Sequence, residues 1–481
     1  MTQYETVIGL EVHVQLRTKT KIFCACSTEF GASPNQNTCP VCLGLPGSLP
    51  VLNRRALELA IQTGLALNCE ISGRIKFDRK NYFYPDLPKA YQISQYDMPV
   101  CGKGFLIVEM KKSKDEVVEK RVGITRAHLE EDAGKLLHEG VTGGSWVDYN
   151  RAGTPLLEIV SEPDLRTPEE AFAYLTSLKS VLEYLNVSDC NMEEGSLRCD
   201  ANISIRKFGA AQFGTKVEIK NMNSFRGVQK ALEHERHRQE EALESGGKIN
   251  QETRLWNESR GETVSMRSKE HAHDYRYFPE PDLVPFTVSE QEISTVKQKL
   301  PELPQARFER LKTRYALSPY DAQVLVAEKS LGDYFESCVG EGISAKLASN
   351  WIQSELLGAL SERKMNLNDS TVKPKDLAGL IRLIESGTIS GKIAKEVLPR
   401  MFETGKSAEA IVKDEGLVQV TDTKLLEETT ERVVQANPKS VEDFRQGKKQ
   451  ALGFLVGQVM KETKGKANPK LINEILTKKL S

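Results

Sequence analysis

Val7-Ile8-Gly9-Leu10-Glu11-Val12-His13-Val14-Gln15-Leu16 alternates with a period of two. An extended chain places Leu10, Val12, Val14 and Leu16 on one side and Glu11, His13 and Gln15 on the other. A strand packed on a core does not normally line its second face with a carboxylate and an imidazole unless that face is a site or is solvated. The pattern recurs. Leu197 to Ile205 turns Leu197, Cys199, Ala201, Ile203 and Ile205 inward and Arg198, Asp200, Asn202, Ser204 and Arg206 outward. Lys216 to Lys220 sets Lys216, Glu218 and Lys220 against Val217 and Ile219. Between them lie Arg126-Ala-His128-Leu-Glu130-Glu131-Asp132 and Thr154-Pro-Leu-Leu-Glu158. An antiparallel sheet with one face in water explains each strand singly. Five segments rich in acids rather than Ser and Thr favour one polar sheet face holding Mg²⁺ and a nucleoside triphosphate. Hard oxygens with an occasional imidazole suit that ion, and Arg and Lys suit phosphate. No Gly-Lys-Thr or Gly-Lys-Ser phosphate loop and no Gly-x-Ser-x-Gly elbow occurs, so any ATP site here rests on a sheet.

Cys24-Ala-Cys26 and Cys39-Pro-Val-Cys42 stand twelve residues apart, the knuckle spacing of a closed four-thiolate Zn²⁺ site that pins a loop between two strands. Free or core thiols are the alternative. Two further segments interleave aromatics with cations and end in Pro-Asp-Leu: Asp78 to Gln92, with Arg79, Lys80 and Tyr82, and His273 to Leu283, with Arg276. They suit stacking on a base or ribose, or packing on the knuckle.

At 481 residues the chain predicts two to three domains. No run approaches the roughly 18 apolar residues of a membrane span. The N-terminus shows no targeting segment. Nine cysteines, an odd number and partly scattered, suit a reducing cytoplasm or organellar stroma or matrix. The net charge is −1, but residues 441–481 carry +5. That basic tail, with Lys448, Lys449, Lys461, Lys464 and Lys466, is either a reader of phosphate backbone or a solvated helical face.

Beyond a proline-rich stretch near residue 290 the pattern is helical. Pro374 to Ile384 carries Leu377, Leu380, Ile381 and Ile384 at helical spacing with Gly387 as stop. Asn468-Pro469 predicts the start of the last helix. In the body, Thr167, Pro168 and Glu170 predict a capping box. The expected class is α+β: a body at 1–292 with a mostly antiparallel sheet and a knuckle at 24–42, an all-α domain at 293–405, and a basic all-α tail at 412–481.

The run Val7 to Gln15, Asp78-Arg-Lys-Asn-Tyr-Phe-Tyr-Pro-Asp86, His128-Leu-Glu-Glu-Asp-Ala-Gly-Lys135, Met192 to Asn202, Asp274 to Asp282 and Gly453 to Met460 together resemble the B subunits of aspartyl/glutamyl-tRNA amidotransferases, over essentially the whole chain. The resemblance implies a cradle related to glutamine synthetases and guanidino kinases. It also implies a heterotrimer with an amidase subunit, which frees ammonia from glutamine, and a small belt-like third subunit. On this likeness the chain is the ligase component that phosphorylates the side-chain carboxylate of Glu on tRNA(Gln), or of Asp on tRNA(Asn), before amidation. Glu11 and His13 match metal-binding positions, and Glu131, Glu158 and Glu218 are further Mg²⁺ candidates. The expected catalytic set is Glu11, His13, Glu130, Glu131 and Lys220. Arg79, Lys80, Tyr82, Arg198, Asp200, Asn202, Lys216 and Arg276 are expected at the nucleotide, and the tail at tRNA. Two rivals are a non-catalytic tRNA-binding scaffold and a free-standing ATP-dependent ligase for a small amino acid. An acid-rich face opposes the first and a basic tail the second.

Overall fold

The computed structural model describes residues 4–111, 117–137, 143–268, 274–417, 423–445, 448–463 and 469–480. The chain forms two compact units, Met1–Pro304 and Gln305–Ser481.

The first unit opens with strand β1 (Tyr4–Gln15), helix α1 (Arg54–Ala66), and short strands β2 (Arg74–Ile75), β3 (Asp78–Asn81) and β4 (Tyr91–Ser94). Strands β5 (Gly104–Lys111) and β6 (Val117–Glu131) follow, then the pair β7 (Lys135–Leu137) and β8 (Trp146–Asp148). Next come β9 (Pro155–Ser161), α2 (Pro168–Tyr184), β10 (Leu197–Lys207), β11 (Val217–Lys220) and α3 (Phe225–Glu244). The unit closes with β12 (Glu252–Asn257), β13 (Glu262–Ser268), β14 (Phe278–Pro279), β15 (Phe286–Thr287) and α4 (Glu290–Gln298).

Eight strands make one sheet in the order β13-β12-β11-β10-β1-β9-β6-β5, antiparallel except between β11 and β12. The expected alternation decides its faces. Leu10, Val12, Val14, Ala127, Leu129, Leu157, Ile159, Cys199, Ala201, Ile203, Val217 and Ile219 join one apolar core with α1, α2 and α3. Their neighbours of opposite parity turn the other way. Thr167 caps α2 as expected, accepting from the Glu170 N–H. The Glu170 carboxylate does not complete a capping box; it takes the Arg166 N–H at 2.6 Å and Lys120 Nζ at 2.5 Å.

The two aromatic segments meet. Strand β14 pairs with β3, and β3 with β4, so Phe278 lies opposite Arg79 and Asn81 opposite Tyr91. The cysteine loop joins β1 to α1, not two strands. The body runs past the expected boundary at 292, which falls inside α4. Ile293, Val296, Leu300 and Leu303 pack on its core.

The second unit is helical: α5 (Pro304–Tyr315), α6 (Pro319–Val326), α7 (Lys329–Gly340), α8 (Ala345–Trp351), α9 (Leu357–Glu362), α10 (Pro374–Glu385), α11 (Gly391–Thr404), α12 (Ala408–Asp414), α13 (Thr423–Ala436), α14 (Pro438–Arg445), α15 (Lys449–Glu462) and α16 (Pro469–Leu480). The helix expected from Pro374 is α10, and Gly387 beyond it has φ 71°, a left-handed stop that glycine tolerates. Two apolar clusters form. One spans Phe308 to Val412 and takes Ala408, Ile411 and Val412 of α12; the other gathers Leu426, Val433, Leu455, Val459, Ile472, Leu476 and Leu480. The tail boundary expected at 412 therefore cuts a helix belonging to the earlier cluster. Asn468, the expected cap of α16, lies outside the described residues. No helix among the described residues is long and apolar enough to cross a membrane.

Candidate active site and metal centres

Register brings the polar residues together on the sheet face away from the helices. Across neighbouring strands, His128 of β6 lies opposite Glu158 of β9, which lies opposite His13 of β1, which lies opposite Arg198 of β10. One pair along, the row reads Arg126, Val160, Glu11, Asp200. Glu130 is two residues beyond His128 on the same face.

At the centre, His13 Nε2 is 3.3 Å from Glu158 Oε2 and 3.8 Å from Glu130 Oε1. His128 Nε2 is 3.6 Å from Glu158 Oε2 and 3.7 Å from Glu130 Oε2. Ligand atoms of His13, Glu130 and Glu158 lie within 4.8 Å of one another. Ser94 Oγ donates to Glu130 at 3.2 Å. Burial alone would raise both carboxyls. The His128 hydrogen bond and the Lys80 charge hold Glu130 below its usual range, and the charges of His128, His13 and Lys80 do so for Glu158. Burial would lower the His13 imidazole, but Glu158, then Glu130 and Asp200, outweigh it and raise it. Two buried carboxylates thus favour positive charge on His13 and Lys80, and His128 Nδ1 is buried with no hydrogen-bond partner among the described residues. Two carboxylates and an imidazole at this spacing fit one hard divalent cation.

The other expected residues disperse around this centre. Glu11 shares the face but accepts from Asn202 Nδ2 at 2.9 Å rather than joining the ligand group. Lys80, on β3, reaches the centre: its charge acts on Glu130 and Glu158, and its ammonium sits 5.0 Å over the Tyr275 ring. Tyr82 packs edge-on to Tyr275 with ring centres 6.0 Å apart. Arg198 is spent on Asp132 through two hydrogen bonds of 2.9 and 3.0 Å. Lys220 pairs with Asp200 and Glu218, and Glu218 also accepts from Thr253 Oγ1 at 2.8 Å. Lys216 is exposed and lines a pocket of 230 Å³ with Glu11, Asn202 and Phe213.

Two placements correct the expectations. Glu131, expected as catalytic and as a Mg²⁺ ligand, has the parity of Leu129 and turns to the opposite face of β6. There it holds Lys89 Nζ at 2.5 and 2.6 Å and the Ile93 N–H at 3.0 Å. Arg79, expected at the nucleotide, forms a two-pronged pair with buried Glu280 at 2.6 and 2.8 Å beneath the Tyr91 ring, and fastens β14 to β3. Arg276 is exposed at φ 46°, its backbone serving the turn through Asn81. His128 was absent from the expected set. The parity of Arg126, His128 and Glu130 was the signal that would have found it.

The cysteines form the second centre. Sulfurs of Cys24, Cys26, Cys39 and Cys42 lie within 4.8 Å of one another. Cys42 is buried, receives the Cys39 N–H at 3.2 Å and Lys21 Nζ at 3.6 Å, and is drawn down to about 4, chiefly by its hydrogen bond with Cys24. Four thiols converging beside a buried lysine fit a tetrahedral Zn²⁺ with no open position. In the tail, Lys448 is exposed and pairs with Asp443 at 2.8 Å, and Lys461 is exposed. Lys449 begins α15, and Lys464 and Lys466 lie outside the described residues.

A sheet that buries one face under helices and gathers carboxylates, imidazoles and cations on the other has the make-up of a phosphoryl-transfer domain. Here it is followed by an all-helical region. Residues 6–294 match the family model described as GatB/GatE catalytic domain, and residues 333–480 the one described as GatB domain. Among aspartyl/glutamyl-tRNA(Asn/Gln) amidotransferase B subunits, the chain is 57% identical to that of Carboxydothermus hydrogenoformans, over the full length of both. It is 56% identical to that of Caldanaerobacter subterraneus, also over the full length of both, and 56% identical to that of Geobacter sulfurreducens over 99% of each. The chain belongs to the family of aspartyl/glutamyl-tRNA(Asn/Gln) amidotransferase B subunits.

Proposed function

We propose that this chain carries the ATP-dependent step of tRNA-dependent amidation. An oxygen of the side-chain carboxylate of Glu-tRNA(Gln) or Asp-tRNA(Asn) bonds to the terminal phosphorus of ATP, and ADP leaves with the electron pair of the broken P–O bond. Ammonia then adds to the acyl carbon and inorganic phosphate departs, giving Gln-tRNA(Gln) or Asn-tRNA(Asn). A free carboxylate is a poor acyl donor, so the amide requires this activation.

The observation that carries the reading is the group His13, Glu130 and Glu158, converging on a sheet face with Lys80 beside it. Mg²⁺ held there would neutralise phosphate charge as it shifts toward the leaving oxygen. The residues themselves orient and compensate. Glu130 and Glu158 supply hard oxygens, His13 a nitrogen, and Lys80 a positive charge over the site. A scaffold that only held tRNA would gain nothing from burying two carboxylates together.

The free thiols of Cys24, Cys26, Cys39 and Cys42 suit a structural Zn²⁺ in a reducing compartment, the cytoplasm or an organellar stroma. The ammonia comes from a partner amidase, joined through a small third subunit, and the basic tail binds tRNA phosphates away from the acceptor end. The test is ADP release by the complex of this chain with its co-expressed partners. Release should require misacylated tRNA but not glutamine. ADP release indifferent to misacylated tRNA would overturn the reading.

A further inference from the structure

Arg126 stands apart from the other arginines of the polar sheet face. Arg198 is matched by Asp132 and Arg206 by Glu5, as Lys220 is by Asp200. Arg126 has no hydrogen-bond or ion-pair partner among the described residues, and its Nε is buried and unsatisfied. A buried donor left unpaired is costly to the fold. Its place explains why no acid answers it. The cross-strand neighbour is aliphatic Val160, and Glu11 beyond that is engaged by Asn202. Parity puts Arg126 on the face of His128 and Glu130, its Cα about 6.6 Å along the strand from that of His128.

We propose that Arg126 is a catalytic residue that grips the terminal phosphoryl group of ATP; this rests on the function proposed above. A planar fork of N–H donors matches two phosphate oxygens. Located beside the carboxylate–imidazole centre rather than within it, Arg126 binds the equatorial oxygens of the phosphoryl group in transit. It donates hydrogen bonds throughout and neither gains nor loses a proton. The negative charge that the protein does not supply to Arg126 is then the substrate's own.

The test uses the assembled complex with Arg126→Ala and Arg126→Lys. Equilibrium binding of ATP and of ADP with Mg²⁺, without tRNA, is measured beside the kinetics of ADP release. In Arg126→Ala, ATP affinity should fall about tenfold, the size of one charge-assisted contact, with ADP affinity nearly unchanged. The kcat should fall about 100-fold or more, as when one transition-state donor is removed, with KM for the tRNA unaltered. Arg126→Lys should recover part of the binding but less of the rate. Thermal stability should change little in Arg126→Lys, because no hydrogen bond or ion pair among the described residues is lost. ATP affinity and kcat equal to wild type in both variants, or ATP and ADP weakened alike, would overturn the assignment. Wild-type complex that fails to release ADP with misacylated tRNA would instead indict the functional reading, while the binding comparison still decides Arg126.

Discussion

The two candidate metal centres of the body are built in opposite ways. The four cysteines lie within residues 24–42, on one loop, and present one kind of ligand. His13, Glu130 and Glu158 come from three strands and mix nitrogen with oxygen. A local set of soft ligands closes around its ion and serves stability. A dispersed set of three hard ligands leaves coordination positions of a divalent cation for substrate oxygens. The difference predicts which centre can be lost without stopping chemistry.

The largest effect should come from the dispersed centre. His13→Ala or Glu158→Gln should slow tRNA-dependent ADP release by more than about 100-fold, while zinc content and glutamine hydrolysis by the complex stay at wild-type values. Elemental analysis beside the kinetics checks both. The reverse pattern is expected of Cys39→Ser: zinc falls to near zero and the unfolding midpoint drops, with a loss of several kcal/mol of unfolding free energy where metal binding is coupled to folding of the loop. The remaining folded complex should keep most of its ADP-release rate. Equal loss of chemistry in both variants would erase the distinction.

A smaller effect belongs to Asp132, which is buried at the edge of that face among Arg198, Arg151 and Gln15. Burial would raise its carboxyl, but the charges of Arg198 and Arg151 outweigh burial and hold it below the usual range. A depressed carboxyl stabilises the fold above its unfolded value of about 3.9, and that stability is lost as pH falls through the folded value. Asp132→Asn should cost about 3 kcal/mol at neutral pH and flatten acid unfolding, as denaturant melts at pH 7 and below 4 will register. The smallest effect is expected from the tail. A chain ending at Leu417, which spares the cluster around Val412, should bind tRNA more weakly and with a shallower salt dependence. Filter binding at several salt concentrations checks this.

The same contrast explains what was legible in the chain. The knuckle could be read from spacing because its ligands are neighbours in sequence. The polar face could be read from alternation, and β1, β10 and β11 lie close to the expected strands. Which residues of that face meet depends on strand order and register, which no single segment encodes. Glu11 and His13 share a face in any register, yet only His13 reaches the carboxylates, because Glu158 and His128 happen to lie in its row. Parity within β6 was legible: it separates Glu131, in step with Leu129, from Glu130, in step with His128. The pairing of Arg79 with Glu280 was hidden, since 201 residues separate them in sequence.

The centre formed by His13, Glu130 and Glu158 is tested most directly by metal binding without turnover. Mn²⁺, a spectroscopic substitute for Mg²⁺, can be titrated by electron paramagnetic resonance into the assembled complex with ATP and no tRNA. Wild type should bind it, and Glu158→Gln and His13→Ala should bind it at least about tenfold more weakly, with four-cysteine zinc intact in all three. Mn²⁺ affinity unchanged in both variants would contradict a metal centre on this sheet face.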